Sequence, residues 1–326
     1  MVRLADFYMT YDSSKMLGGL WGALTGDALG VPVEFQSRAN CARNPVTDMR
    51  GYGTHHQPPG TWSDDGALML CTIASLNECG KFDAHDLAKR FIAWLDTGYM
   101  TPHGDVFDAG NATRAAIARL RRGVEPALAG GDTPDSNGNG SLMRILPIAL
   151  YFADAPAPEL LQAAHTASAL THRHARSQMS CGICCLIAVE LLKGQTPAAA
   201  YANAIATAQN YYAAQPAFAP ELAHFARVLS GQIASARESE ISSSGYVLAT
   251  LEASIWCLLN TADYAQAVLR AVNLGDDTDT TGIVTGGLAG LSYGLDAVPQ
   301  HWRDALARRA EIADLLQTFI LNSRGV

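Results

Sequence analysis

Apolar residues recur at three- and four-residue spacing along almost the whole chain. That pattern predicts helices over Met16–Leu29, Asp65–Leu76, Asp86–Leu95, Thr113–Leu120, Leu142–Phe152, Glu159–Ala169, Arg176–Leu192, Ala198–Tyr212, Glu221–Leu229, Val247–Leu259, Tyr264–Val272, Thr280–Tyr293 and Trp302–Phe319. No alternating run is sustained enough to read as a strand. Many helices with short connections imply an all-α fold, a compact multi-helix bundle. The polar, glycine-rich segments GDALGVPVEF, GTWSDDG, SNGNGS, THRH, SSSGY and LGDDTDTTG fall between helices or at their starts. Helix N-termini carry unpaired N–H groups, so a bundle end where such segments converge suits a diphosphate. Taken singly, each segment reads equally well as a cap or a turn.

The chain has 326 residues, 48% hydrophobic and 17% charged, enough for a substantial core. No Pro/Ser-rich linker, charge block, low-complexity tract or internal repeat divides it, so residues 1–326 read as a single domain. The net charge of −8 argues against nucleic acid and anionic membrane as partners, and Arg119, Arg121 and Arg122 read as a solvated helix end. The opening MVRLADFYMTYD lacks the apolar stretch of a signal peptide, and no charge-free run is long enough to span a bilayer, which predicts a cytoplasmic protein. Seven cysteines fit reduced thiols better than a disulfide framework.

Two acidic clusters carry the chemistry. Asp276-Asp277-Thr278-Asp279-Thr280-Thr281 puts three carboxylates and three hydroxyls directly before a small, apolar helix, whereas an N-cap needs one such side chain. Ser63-Asp64-Asp65 opens the predicted helix ending near Gly80, and by itself it is an ordinary cap with a dipole-favoured first turn. Together Asp64, Asp65, Asp277 and Asp279 bring four negative charges, which two divalent cations would neutralise. Hard oxygen donors of this kind suit Mg²⁺, Mn²⁺ or Ca²⁺.

With these clusters in view, the sequence resembles the ADP-ribosylglycohydrolase family, which includes the dinitrogenase reductase-activating glycohydrolase and the hydrolases of ADP-ribosyl-arginine and ADP-ribosyl-serine. The resemblance runs in order through Gly26-Asp27-Ala28-Leu29-Gly30-Val31-Pro32-Val33-Glu34-Phe35, Trp62-Ser63-Asp64-Asp65, Gly138-Asn139-Gly140-Ser141-Leu142-Met143-Arg144, Thr171-His172, Gly245-Tyr246 with Leu251-Glu252-Ala253, and Asp277-Thr278-Asp279-Thr280. It implies an orthogonal all-α fold and a binuclear Mg²⁺ or Mn²⁺ centre, with Ser63, Asp64, Asp65, Asp277, Asp279 and Thr280 as metal ligands. Ser63 stands where the family pattern has Thr, and Asp276 where Gly is usual. The resemblance further implies that Glu34 lies near the metals and the scissile ribose, that Asn139, Gly140, Ser141, Met143 and His172 bind substrate, and that Tyr246 stands near the adenosine half. Glu34, Asp64 and Asp65 are the candidates for proton handling, and the sequence does not choose among them.

Each of these residues also has an ordinary reading. Glu34 alone is a solvated loop carboxylate, Ser141 an N-cap, His172 a surface or structural histidine, and Tyr246 a hydrophobic staple. Asp27, in an otherwise apolar helix, reads as a structural support that needs partners. Cys181, Cys184 and Cys185 lack a second pair for zinc and read as core residues. Gly282, Gly286, Gly287 and Gly290 form a small-residue stripe that close helix packing explains. The expected activity is removal of ADP-ribose from a modified acceptor, an ADP-ribosylated protein or a small ADP-ribosyl compound. Protein ADP-ribosyl-arginine is favoured over a serine or O-acetyl-ADP-ribose linkage. A non-catalytic ADP-ribose reader and a two-metal phosphohydrolase are the competing classes.

Overall fold

The structure is a computed structural model describing residues 11–323, so the reading of the first ten residues as lacking a signal sequence lies outside the described residues. Among the described residues there are sixteen α-helices and no strand. In chain order they are α1 (Ser13–Gly30), α2 (Arg38–Arg43), α3 (Asp64–Cys79), α4 (Ala84–Thr97), α5 (Asn111–Arg121), α6 (Pro126–Ala129), α7 (Leu146–Tyr151) and α8 (Ala157–Ala169). The second half holds α9 (Ala175–Leu192), α10 (Pro197–Ala213), α11 (Ala226–Leu229), α12 (Val247–Leu259), α13 (Tyr264–Val272), α14 (Thr278–Tyr293), α15 (Gln300–Ala305) and α16 (Arg309–Asn322).

The most extensive helix pair joins two helices far apart in sequence, α1 and α14. Glycines every fourth residue on α1, at 18, 22 and 26, face Gly290, Gly286 and Gly282 on α14. A Cβ on Gly22 would lie 2.5 Å from the Gly286 carbonyl oxygen, and one on Gly18 the same distance from that of Gly290. The stripe is therefore an intramolecular seam that lets two backbones touch. It brings the start of α14, with its aspartates, against the end of α1 and the Glu34 turn; Thr278 Oγ1 donates to the Gly30 carbonyl at 2.8 Å.

Most predicted helices form, and three depart in instructive ways. The span predicted from Leu142 starts at Leu146, because Pro147 suits a first turn, while residues 139–145 make i→i+3 turns such as Leu142 N to Asn139 O at 2.7 Å. The Glu221–Leu229 span is a 3₁₀ segment, Ala219–Phe225, before the single turn of α11. The long helix predicted over Trp302–Phe319 breaks at Arg308, which takes a left-handed φ of 48°. There Ala307 N donates to the Gly60 carbonyl at 3.0 Å and Arg308 Nη1 to the Thr101 carbonyl at 2.8 Å, so loop contacts replace helical ones. α9 is long and apolar enough to cross a membrane, yet 78% of that stretch is buried inside the protein. Cys181, Cys184 and Cys185 lie on it as buried core residues.

Candidate active site

Asp27 is fully buried near the end of α1 and caps a helix far from it in sequence. Its Oδ1 accepts from Ser63 N at 2.9 Å and its Oδ2 from Gly66 N at 2.8 Å, so it takes the free N–H groups of the first turn of α3. Ser63 is the N-cap of that helix, its Oγ accepting from Asp65 N at 3.3 Å. With the helix start held this way, Asp64 and Asp65 need no capping role and are buried side by side.

The second cluster is built similarly. Asp277 precedes α14 without capping it; its Oδ2 accepts from Asn139 Nδ2 at 2.8 Å. Asp279 Oδ1 accepts from Thr280 N at 3.0 Å. The other oxygens of these groups, Asp277 Oδ1 and Asp279 Oδ2, together with Asp65 Oδ2, are buried without a hydrogen-bond partner. A buried, unpaired carboxylate oxygen is costly in a folded protein. Three of them in one site mark where a positive charge belongs, and a hard oxygen donor set fits a divalent cation. Asp276 takes no part: it is exposed at φ 59°, the left-handed region that explains glycine's use there, and its backbone pairs with Phe35 and Gln36.

Glu34 follows the 3₁₀ turn Val31–Val33, and its backbone carbonyl accepts from Thr54 Oγ1 at 2.7 Å. Its carboxylate is buried and pairs with His55. Oxygens of Glu34, Asp277 and Asp279 can lie within 4.8 Å of one another, and ligand atoms of Glu34, His55 and Asp108 form a second such trio. Glu34 therefore joins two groups with metal-ligand geometry. Burial is the first cause of the raised acids in this site. It pushes Asp64, Asp65 and Asp279 well above the carboxylate range, Glu34 up to about 10 and Asp108 up to about 6, with repulsion from neighbouring carboxylates adding to each.

These side chains line a cavity of about 320 Å³ that also contains Asn139, Gly140, Met143, His172 and Thr280. Ser63 and Asp279 are buried beside it. His172 is buried, bonded through Nδ1 to Thr171 Oγ1 at 2.9 Å; burial and then the charge of Arg144 pull its pKa down to about 3, so the ring is neutral. A Cβ on Gly140 would lie 2.8 Å from His172 Cε1, which is why glycine occupies that position. Asn139 is spoken for, donating to Thr250 Oγ1 at 2.8 Å as well as to Asp277, and so ties the glycine-rich loop to the acidic one. The Ser141 side chain points into the core, bonded to Ser168 Oγ at 2.9 Å. Tyr246 stands at the N-cap of α12, 37% exposed, next to the cavity-lining Gly245, its hydroxyl accepting from Arg176 Nη1 at 3.1 Å.

Two members of the site have no counterpart among the residues singled out by sequence. His55 sits in a Gly/Pro-rich turn and Asp108 in the loop before α5; neither belongs to a local cluster, and only the fold delivers them to Glu34. The positive φ of Asp108, 50°, has no sequence signal either. The loop also brings the start of α5 to the cavity wall, with a Gly110 N-cap that leaves the first-turn amides without a side-chain acceptor.

An all-helical scaffold that gathers Glu34, Asp64, Asp65, Asp108, Asp277 and Asp279, four of them buried and two half-buried, around a cavity with helix N-termini in its wall fits a hydrolase of ADP-ribosyl linkages. The model of the family ADP-ribosylglycohydrolase matches residues 9–325, and the chain belongs to that family; it is a hydrolase of ADP-ribosyl linkages. The chain is 31% identical over 312 residues to ADP-ribosylarginine hydrolase Tri1 of Serratia proteamaculans, covering 93% of this chain and 78% of that one. It is 29% identical over 306 residues to the ADP-ribosyl-[dinitrogen reductase] glycohydrolase of Rhodospirillum rubrum, covering 91% and 92%. A solved structure titled ADP-ribosylglycohydrolase-related protein complex superposes with a TM-score of 0.79 at 32% identity, over 95% of this chain and 98% of that chain.

Proposed function

We propose that the protein cleaves the N-glycosidic bond of ADP-ribosyl-arginine on a protein acceptor, using two divalent cations, Mg²⁺ or Mn²⁺, held by Ser63, Asp64, Asp65, Asp277, Asp279 and Thr280. The observation that carries the metal assignment is the set of unpaired buried oxygens on Asp65, Asp277 and Asp279. When bound, the cations supply charge compensation for the acids, a grip on ribose hydroxyls and an acidified water.

The chain's own groups do the rest. Glu34, fixed by His55 and by the Thr54 bond to its backbone, stands where it can hold a proton next to the reacting carbon, with Asp64 and Asp65 as the other proton-handling candidates. The cavity is lined by the start of α5, Gly138–Gly140, Met143 and His172; the α5 and loop amides would take the diphosphate, His172 and Met143 would enclose the nucleotide, and Tyr246 would flank the adenosine. As the bond from the anomeric carbon to the guanidine nitrogen breaks, a water oxygen bonds to that carbon and the water's proton passes to the guanidine. With bound cations keeping them ionised, Glu34 and Asp108 at the cavity would favour a cationic guanidinium leaving group over a neutral hydroxyl. The arginine-hydrolase names of relatives at 31% and 32% identity support the same linkage.

Two matched peptides, ADP-ribosylated on Arg or on Ser, incubated with enzyme and Mg²⁺ or Mn²⁺, test the proposal. Faster release of ADP-ribose from the Arg peptide is expected. Preferential release from the Ser peptide overturns the linkage assignment, and full turnover in chelator overturns the metal centre.

A further inference from the structure

A second cavity, of about 680 Å³, opens on the other side of the Glu34 turn and shares no lining residue with the acidic one. Its polar lining includes Gln36, Asn40, Arg43, Asn44, Arg50 and His56, with Thr54, over a floor that includes the buried Val33 and Cys41, and no carboxylate lines it. The protein as a whole has 31 acids to 23 Lys and Arg, so a hollow lined by two arginines and no acid runs against its overall charge. An acid does act on its floor from outside the lining: the exposed Asp276 adds to burial in raising the Cys41 thiol. Among the described residues, neither guanidinium has a carboxylate partner: Arg43 bonds to the Asn40 side chain, and Arg50 only to the Asn44 carbonyl at 3.5 Å. Two such guanidiniums in one hollow repel each other and leave most of their N–H groups unfilled, and the Gln36 and Asn44 amides add donors, while Asn40 is partly spent, its Nδ2 donating to Gln36 Oε1 at 3.1 Å and its Oδ1 accepting from Arg43.

The walls that present these groups are built rather than loose. Tyr52 N donates to Gln57 O at 2.7 Å, Thr54 N to the Pro32 carbonyl at 3.1 Å and His56 N to the Gly53 carbonyl at 3.0 Å. Gly53 is pressed against Pro32 so closely that a Cβ there would overlap the Pro32 carbonyl. Arg43 and Asn44 come from the other side, at the end of α2. Donors thus converge from two independent segments on one concave space, as a multivalent oxyanion requires.

We propose that this cavity binds a diphosphate-class oxyanion, separately from the site of hydrolysis. Two bidentate guanidiniums match the oxygens of two linked phosphoryl groups, and the volume leaves room for a nucleoside attached to them.

The test is calorimetric titration of the chelated protein with inorganic pyrophosphate, with ADP as a second arm. Chelation matters because it removes the cations that would hold an anion in the catalytic cavity. Saturable binding is expected, weakened at least tenfold in R43Q/R50Q and less in each single variant, while the metal-loaded double variant hydrolyses its substrate at the wild-type rate. Tighter binding of ADP than of pyrophosphate would extend the site to the nucleoside; equal binding would limit it to the diphosphate. The absence of pyrophosphate binding, the same affinity in folded single variants, or binding only of an acidic peptide each overturns the proposal.

Discussion

Replacing Gly22 by Ala tests whether the α1–α14 seam holds the active site together. In an open helix the change stabilises, since Ala is favoured over Gly by about 1 kcal/mol. Here the new Cβ would stand 2.5 Å from the Gly286 carbonyl oxygen and 2.9 Å from the Tyr264 ring. Comfortable separation is about 3.5 Å, so the helices must part by roughly 1 Å. The oxygen belongs to the backbone and cannot rotate away, and Tyr264 is itself held by a 2.8 Å bond to the Gly22 carbonyl. Overpacking of this kind costs about 1–3 kcal/mol, and loss of the tyrosine contact adds to it, so the net sign is destabilising despite the propensity gain. At about 2–4 °C per kcal/mol, the melting temperature should fall by several degrees. Gly287→Ala is the internal control, because its one tight contact would be the flexible end of Leu146, at 2.9 Å, with Ala23 Cβ at 3.7 Å and the Gly19 carbonyl oxygen at 3.9 Å at ordinary distances. The control should melt close to wild type. Since α14 begins with the aspartates proposed to hold metal, kcat should fall with Gly22→Ala and recover little on adding metal; misplacement by about 1 Å can cost roughly a hundredfold. Thermal unfolding followed by circular dichroism, with turnover on the same samples, decides it. A Gly22→Ala protein as stable and active as wild type would refute the backbone-contact account.

Asp277→Ala and Asp279→Ala should each abolish hydrolysis while the far-ultraviolet dichroism stays helical, and an active variant of either would remove that carboxylate from the site. Burial raises Asp27 to about 7, Asp108 to about 6 and Glu34 to about 10, and acids with raised folded values support folding at low pH and lose that support as pH rises through those values. The chelated protein should therefore melt higher at about pH 6.5 than at about pH 8, whereas metal, by keeping the carboxylates ionised, should flatten the slope; equal slopes with and without metal would contradict this. Below about pH 6.5 the buried neutral His165 and His172, depressed to about 4 and about 3, oppose further gain. Tyr246→Ala should raise KM and leave kcat nearly unchanged if the ring only flanks the nucleoside; a large loss of kcat at constant KM would place it in the chemistry.

Local sequence was sufficient for the helices whose apolar period and terminal caps agree, such as α3 ending at the left-handed Gly80 and α4 at the left-handed Gly98. It was also sufficient to mark the 276–281 cluster, where an excess of carboxylates over what a cap can use is visible within six residues, whereas Ser63-Asp64-Asp65 alone read as an ordinary cap; the structure leaves oxygens of both clusters unpaired. The small-residue stripe at 282–290 was legible as a close contact, but its partner on α1, more than 250 residues away, was not. Tertiary structure alone decided that Asp27 caps α3, that Asn139 grips Asp277, that Ser141 turns into the core, and that His55 and Asp108 reach Glu34. It also broke the last predicted helix, where the Gly60 carbonyl competes for the Ala307 amide. The physical division is one of range: periodicity, capping and charge crowding act over a few residues and are written locally. Burial and unpaired charge depend on which distant segments meet, and that is settled only when the glycine seam closes α1 and α14 around the acids.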